Sequence, residues 1–202
     1  IVRELRDLAI QRVKKGDNVF IYYAGHGWFD EVWQTGYWVT AEATKDPTSF
    51  LANNAVYQSI AALDRKGAKH VLLVSDSCFS GSFTREFRAV EMDIDDRYFQ
   101  EKYKKPSRTV LASGGVEPVA DAGKGGHSVF AYYFLQALAD NSYPYLSAKQ
   151  LGARVEELVT RNSSQTPISR FIHGVGDEQG EFFFINKKAR AAAYQPKPVA
   201  PE

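Results

Sequence analysis

The only cysteine of this chain, Cys78, lies directly after a short apolar run. Residues 71–74 are Val-Leu-Leu-Val, and residues 75–81 are Ser-Asp-Ser-Cys-Phe-Ser-Gly. Such a run, ending in small polar residues, is typical of a buried parallel strand, and open α/β sheets collect ligands and catalytic groups at the carboxyl ends of these strands. Cys78 is therefore a candidate nucleophile. The alternative is a structural cysteine, because free cysteine is among the most buried residue types.

A histidine follows a second apolar run in the same way. Residues 18–24 (Asn-Val-Phe-Ile-Tyr-Tyr-Ala) predict a buried strand that runs directly into Gly25-His26-Gly27. If the two strands are parallel neighbours, their carboxyl ends lie side by side and His26 lies near Cys78. A neighbouring imidazole can take the proton of a thiol or stabilise the thiolate. The two glycines would let the backbone turn sharply and leave room for a substrate. A hydrogen-bonded structural histidine is the alternative for His26.

The elements that must position these residues alternate between helix and strand. The hydrophobic periodicity predicts strands over residues 18–24, 36–40, 70–75, 108–113 and 181–185, and helices over residues 1–15, 53–66, 128–139 and 148–161. Residues 165–180 are predicted as a loop. This alternation predicts an α/β fold, a three-layer sandwich with a mainly parallel sheet. Residues 1–186 form the predicted domain, and the Ala-rich, then Pro-rich residues 187–202 are predicted to be a linker or tail.

Composition excludes several classes of function. The 202 residues suit one domain with a core, and 44% of them are hydrophobic. A net charge of +1 gives no argument for binding nucleic acid or an anionic membrane. A single cysteine excludes an intrachain disulfide, there is no zinc-binding motif, and no apolar run approaches a membrane span. We expect a cytoplasmic protein without a cofactor. Because the chain starts at Ile1, inside a predicted helix, we expect it to be a fragment.

Two polar segments interrupt the alternation. Residues 83–107 are predicted to be a long charged loop, which in a compact domain is usually functional or disordered. Its acidic residues lack the glycine and terminal glutamate of an EF-hand, so we expect a solvated loop and not a metal site; they are Glu91, Asp93, Asp95 and Asp96. Residues 114–126 are Gly-rich but lack the Gly-Lys-Ser/Thr ending of a phosphate-binding loop.

The histidine and cysteine motifs together resemble those of the caspase/metacaspase clan of cysteine peptidases. Tyr-Tyr-Ala-Gly-His-Gly at residues 22–27 precedes Asp-Ser-Cys-Phe-Ser-Gly at residues 76–81, and the cysteine lies 52 positions after the histidine. In caspases the histidine lies about 50 residues upstream. The Asp-Ser-Cys-x-Ser-Gly form resembles the metacaspase and bacterial orthocaspase branch, as do residues 113–121, 126–130 and 180–185. The resemblance covers residues 1–186.

The resemblance implies a role for each matching residue. Cys78 would be the nucleophile and His26 the general acid/base, in a cysteine endopeptidase acting on a protein or peptide substrate. The backbone amides of Gly27 and Cys78 would bind the oxyanion. Asp76 matches the acid that metacaspases place in the pocket for the residue before the cut bond. An acidic pocket selects Arg or Lys. A structural carboxylate is the alternative for Asp76.

The resemblance implies roles for further positions. Glu117 and Asp121 could contribute to the same pocket. Enzymes of the clan are often cut between the cysteine strand and the next strand, which would allow self-cleavage near Arg88, Arg97 or Lys105. The alternative to self-cleavage is an exposed loop that is never cut.

Other family features are missing or unsupported. The family's first strand, first helix and second strand are expected before Ile1, so we expect the sheet of this chain to be incomplete. Metacaspases often bind calcium, but the residues after Cys78 that would bind it are Phe-Thr-Arg at 83–85. The resemblance thus allows calcium activation, but the sequence does not support it. Caspase-like domains are often joined to further domains or controlled by a regulatory partner, and the Pro-rich tail suits that arrangement.

Two other functions stay open at this point. If His127 or His173 were the base, the order of the residues would suit an α/β-hydrolase, such as an esterase or amidase, with cysteine as nucleophile. That hypothesis leaves the Gly-His-Gly motif unexplained. The chain could also be a catalytically silent caspase-like module that recruits partners, although His26 and Cys78 are both present. His70 is predicted at the start of a strand.

Overall fold

The computed structural model of the protein describes residues 1–77, 93–114 and 124–193. In chain order, the elements are α1 (Val2–Asp7), which continues as a π-helical turn (Leu8–Arg12), β1 (Asn18–Ala24), β2 (His26–Asp30), β3 (Thr35–Val39), β4 (Leu51–Ala52), α2 (Asn53–Arg65), β5 (His70–Asp76), α3 (Asp96–Lys104), β6 (Ser107–Ala112), α4 (Val129–Ala139), β7 (Tyr145–Ser147), α5 (Ala148–Asn162), β8 (Ile168–Phe171), β9 (Phe183–Ile185) and α6 (Lys187–Ala193).

A four-stranded sheet in the order β1-β5-β6-β8 forms the centre of the fold. Strands β1, β5 and β6 are parallel, and β8 is antiparallel to β6. The mostly parallel sheet confirms the predicted fold class. It also confirms that the strand before His26 and the strand before Cys78 are direct neighbours.

Alternating side chains of β5 build a core on each face of this sheet. Val71 and Leu73 pack on one face with Val56 and Ile60 of α2. Leu72 and Val74 pack on the other face, with Phe130, Phe134, Leu151 and Val155 of α4 and α5. A strand buried on both faces reads as a continuous apolar run. The helices on the two faces complete the predicted three-layer sandwich.

Two small antiparallel sheets flank the central sheet. Strands β2, β3 and β4 form the first, with His26 opposite Val39 at the base of the β2–β3 hairpin. Strands β7 and β9 form the second. The predicted last strand therefore pairs with β7 and not with the central sheet.

Several sequence expectations are wrong in detail. Residues 96–104 form helix α3 within the predicted charged loop, and residues 168–171 form strand β8 within the predicted loop at 165–180. Strands β2 and β7 were not predicted. The linker or tail at residues 187–202 stays a prediction; its first seven residues form helix α6.

Polar side chains hold together the edge of the sheet where the parallel strands begin. Arg108 is fully buried, pairs with Asp64 at 2.6 Å and donates to three backbone carbonyls outside its own strand. His70 is fully buried as well, with Nδ1 2.8 Å from Ser107 Oγ and Nε2 3.1 Å from the carbonyl oxygen of Tyr103. Burial lowers the pKa of His70 to about 4. The last turn of α3 is thereby joined to the start of β5.

Candidate active site

The segment before His26 is bonded directly to the end of β5. The register of the parallel strands places Ala24 opposite Asp76, and the amide of Gly25 donates to the carbonyl oxygen of Asp76 at 3.2 Å. His26 is the next residue, and its side chain is exposed. Cys78, two residues after Asp76, lies outside the described residues. The hydrogen bond therefore links the residue before His26 to the end of the strand that leads to Cys78.

Tyr23 supports the backbone of the histidine. Its hydroxyl lies 2.9 Å from the carbonyl oxygen of His26 and 3.2 Å from that of Val39, so one donor serves both strands at the base of the hairpin. Its ring stacks on Trp38 with centroids 4.0 Å apart. Burial raises the pKa of Tyr23 to about 12, so the hydroxyl remains a donor at neutral pH. Sequence reasoning missed this tyrosine, which supports His26 from three residues upstream.

Gly25 is required because of a close approach and not because of its backbone angles. The chain bends at Gly25, between β1 and β2, as predicted, although neither Gly25 nor Gly27 has a positive φ. A Cβ atom on Gly25 would lie 2.7 Å from the hydroxyl oxygen of Tyr23. The glycine thus leaves the space in which the tyrosine hydroxyl reaches the hairpin.

Asp76 is a buried carboxylate at the same edge of the sheet. The residue is 6% exposed, and its Oδ2 atom accepts hydrogen bonds from Ser128 Oγ at 2.6 Å and from the Tyr22 hydroxyl at 3.4 Å. Ser128 is the N-cap of α4, where its Oγ also accepts from the amide of Ala131 at 2.9 Å. Burial raises the pKa of Tyr22, and the negative charge of Asp76 raises it further. Sequence reasoning missed both hydroxyl donors.

Serines fix the backbone directly before Cys78. Ser77 is fully buried; its Oγ lies 2.9 Å from Ser75 Oγ, and its carbonyl oxygen accepts from Ser113 Oγ at 3.2 Å. The amide of Ser113 donates to the carbonyl oxygen of Ser75 at 3.0 Å. The end of β6 therefore holds the end of β5 from the side opposite β1.

A cavity of about 680 Å³ lies along β1, between α1 and the end of β3. Its lining includes His26, Trp38 and Val39 but not Asp76. The cavity and the buried carboxylate are therefore separate features of this region.

The remaining predicted site residues lie in different elements or outside the described residues. Gly27 follows His26 in β2, whereas Arg97 and Lys105 are exposed, the first in α3 and the second directly after it. The rest of the predicted set lies outside the described residues: Arg88, Glu117 and Asp121. In the part of the chain that the structure describes, no group of three or more His, Cys, Asp or Glu side chains could hold a metal ion.

The other histidines differ from His26 in their surroundings. His70 is buried where β5 begins, as predicted, at the other end of that strand from Asp76. His127 and His173 are exposed. None of the three lies at the carboxyl end of a parallel strand of the central sheet.

These features define a three-layer α/β domain whose candidate site lies at the carboxyl ends of two adjacent parallel strands. The sequence profile of the caspase domain, peptidase family C14, matches residues 1–176, and the chain belongs to this family. It is therefore a member of a family of cysteine peptidases, hydrolases that act on protein or peptide substrates. A search of curated proteins found no match. None of the described helices is both long enough and apolar enough to span a membrane.

Proposed function

We propose that this chain is a cysteine endopeptidase of the metacaspase-like branch, with Cys78 as nucleophile and His26 as general acid/base, and that it cleaves after Arg or Lys. The main support is the hydrogen bond of 3.2 Å between the Gly25 amide and the Asp76 carbonyl oxygen. It joins the residue before His26 to a residue two positions before Cys78. A nucleophile and its base need this kind of fixed backbone, because catalysis depends on their mutual placement.

The proposed chemistry uses one proton carrier in two steps. His26 accepts the thiol proton of Cys78, and the thiolate attacks the carbonyl carbon of the scissile peptide bond. The amides of Gly27 and Cys78 donate to the oxyanion that forms. The C–N bond breaks as His26 returns the proton to the leaving amine, which leaves a thioester on Cys78. A water molecule that is deprotonated by His26 then hydrolyses the thioester and restores the thiol.

The proposed specificity depends on Asp76. A carboxylate that is 6% exposed is largely desolvated, and an ion pair formed there is stronger than one in water. An Arg or Lys side chain would supply the opposite charge, whereas an acidic substrate residue would be repelled. Glu117 and Asp121 remain proposed contributors to the same pocket.

A panel of fluorogenic peptides that end in Arg, Lys or Asp before the reporter tests this function. We expect cleavage of the Arg and Lys peptides only. C78A and H26A should abolish it, and D76N should raise KM for both basic peptides. Circular dichroism of each variant serves as the control for folding.

Three results would contradict the proposal in different ways. Cleavage after Asp alone would refute the acidic pocket. Ester hydrolysis that survives H26A would favour the α/β-hydrolase alternative. If no peptide is cleaved, even after incubation with a cell extract that could supply a regulatory partner, the silent module becomes the better description.

We also propose that self-cleavage, where it occurs, takes place before α3. Arg97 lies in the first turn of α3, and a peptidase needs an extended backbone, so a cut after Arg97 would require the helix to unfold. The peptide bond after Lys105 joins it to Pro106. The backbone is tightly packed there, because a Cβ on Gly180 would lie 1.8 Å from the Lys105 carbonyl oxygen. Mass spectrometry of an incubated sample should therefore find no fragment that ends at Arg97 or Lys105. Arg88 lies outside the described residues.

The proposed activity does not use calcium. Asp95 caps α3 by accepting from the amide of Tyr98 at 2.7 Å, and Asp96 accepts from the hydroxyl of Tyr145. These two acids are thus used within the fold. We expect the same rate of peptide cleavage in EDTA and in millimolar calcium, and a rate that rises with calcium would contradict this part of the proposal.

A further inference from the structure

Ser128 connects the buried carboxylate of Asp76 to helix α4. Its hydroxyl accepts from the amide of Ala131 at 2.9 Å and has one proton left, and Asp76 Oδ2 lies 2.6 Å away. A serine hydroxyl has one donor and two acceptor sites, so it can make both bonds at once. The geometry therefore assigns the serine proton to the carboxylate.

Asp76 needs such a donor because it lies almost completely out of water. A buried carboxylate without hydrogen-bond donors is costly and tends to become protonated. The bond from Ser128 is the shorter of the two hydroxyl contacts at Oδ2, since the Tyr22 hydroxyl lies at 3.4 Å. The shorter contact thus comes from the N-cap of α4 and the longer one from β1.

We propose that Ser128 is a positioning residue for substrate selection: its hydroxyl holds the carboxylate of Asp76 in the orientation that binds the basic side chain of the substrate. This inference rests on the proposed role of Asp76 in the specificity pocket. In this proposal Ser128 acts through Asp76 and takes no part in the bond changes. Its loss should therefore weaken the binding of Arg and Lys peptides while the chemical step continues at a similar rate.

The chain offers a matched control for the second role of Ser128. Ser147 is the N-cap of α5, where its Oγ accepts from the amide of Gln150 at 3.2 Å. It caps a helix on the same face of the sheet. S128A removes both a cap and the bond to Asp76, whereas S147A removes a cap alone. S128G separates the two roles further, because glycine is a tolerable N-cap residue without a hydroxyl.

The experiment measures kcat and KM for the Arg and Lys peptides with wild type, S128A, S128G, S128T, S147A and D76N. We expect S128A and S128G to raise KM about tenfold, as for the loss of one hydrogen bond to a charged group, with kcat changed by less than about threefold. S128T keeps the hydroxyl and should have the same KM as the wild type. S147A should melt at a lower temperature with KM unchanged.

The possible failures of the two proposals are distinguishable. If D76N raises KM but S128A and S128G do not, the pocket is supported and the role of Ser128 is refuted. If D76N leaves KM unchanged, both the pocket and this inference are wrong. If S147A raises KM as much as S128A does, the effect comes from helix stability, and the positioning role is refuted.

Discussion

Removing the hydroxyl of Tyr23 should separate the support of His26 from the packing of the hairpin. Y23F keeps the ring and its stacking on Trp38, but it removes the donor that lies 2.9 Å and 3.2 Å from the carbonyl oxygens of His26 and Val39. One net hydrogen bond is worth about 1 kcal/mol, and two carbonyls are left without this donor. His26 is exposed and Val39 is half-buried, so water can replace part of the loss. We therefore expect a decrease of about 1–2 kcal/mol in the free energy of unfolding.

The effect on catalysis should exceed the effect on stability. A shift of about 1 Å in a catalytic group can cost about a hundredfold in rate, so kcat/KM for an Arg peptide should fall by roughly ten- to a hundredfold. Urea denaturation measures the first effect, and peptide hydrolysis measures the second. Y57F is the control, because the Tyr57 hydroxyl donates to the carbonyl oxygen of His173 at 2.8 Å, at a backbone outside the site. An unchanged kcat/KM in Y23F, or an equal decrease in Y57F, would refute the positioning role of Tyr23.

Three further predictions test the site and the fold. G25A places a methyl group 2.7 Å from the Tyr23 hydroxyl oxygen and should lower kcat/KM at least about tenfold, which peptide hydrolysis would show, while far-UV circular dichroism stays unchanged. As pH falls from 6.5 towards 4, His70 becomes protonated in the unfolded chain but not in the folded chain, so the free energy of unfolding should fall by up to about 3 kcal/mol. Urea titrations would measure this decrease, which should be smaller in H70Q. R108A removes a fully buried guanidinium together with its bonds to Asp64 and to three backbone carbonyls and should cost roughly 3–5 kcal/mol; a loss below about 1 kcal/mol in urea would contradict the structural role of Arg108.

The centre of the sheet could be predicted from the sequence because its two middle strands, β5 and β6, are buried on both faces. The apolar run at residues 71–74 is fully buried, and both faces of β5 contact helices. The helices on those faces have clear periodicity and caps, such as Ser147 before α5. Since such signals are local, they do not depend on knowing the tertiary structure.

Two of the missed strands depend on partners far along the chain. Strand β8 is short and only partly buried, and it exists because it pairs with β6, about 60 residues earlier. Strand β7 likewise depends on β9. Helix α3 is a different case, because Asp95 as N-cap and Phe99 and Tyr103 at helical spacing were visible. The surrounding charges concealed that signal.

The same distinction applies to the candidate site. The positions of His26 and Asp76 at the ends of neighbouring strands followed from strand order alone. The hydroxyls of Tyr22, Tyr23 and Ser128 act across strands or from a helix, so their roles required coordinates. Sequence reasoning treated these three residues as parts of motifs and assigned them no contact.

The two tyrosines before the Gly-His-Gly motif illustrate how one strand serves both halves of the site. Successive side chains of a strand point to opposite faces. Tyr22 therefore reaches the Asp76 carboxylate on the α4 side, while Tyr23 reaches the His26 carbonyl on the α2 side. The Gly25 amide donates a hydrogen bond to the Asp76 carbonyl oxygen. A shift of β1 by one residue would exchange these two faces, so the register of β1 on β5 fixes the placement of the proposed base and of the proposed specificity acid together.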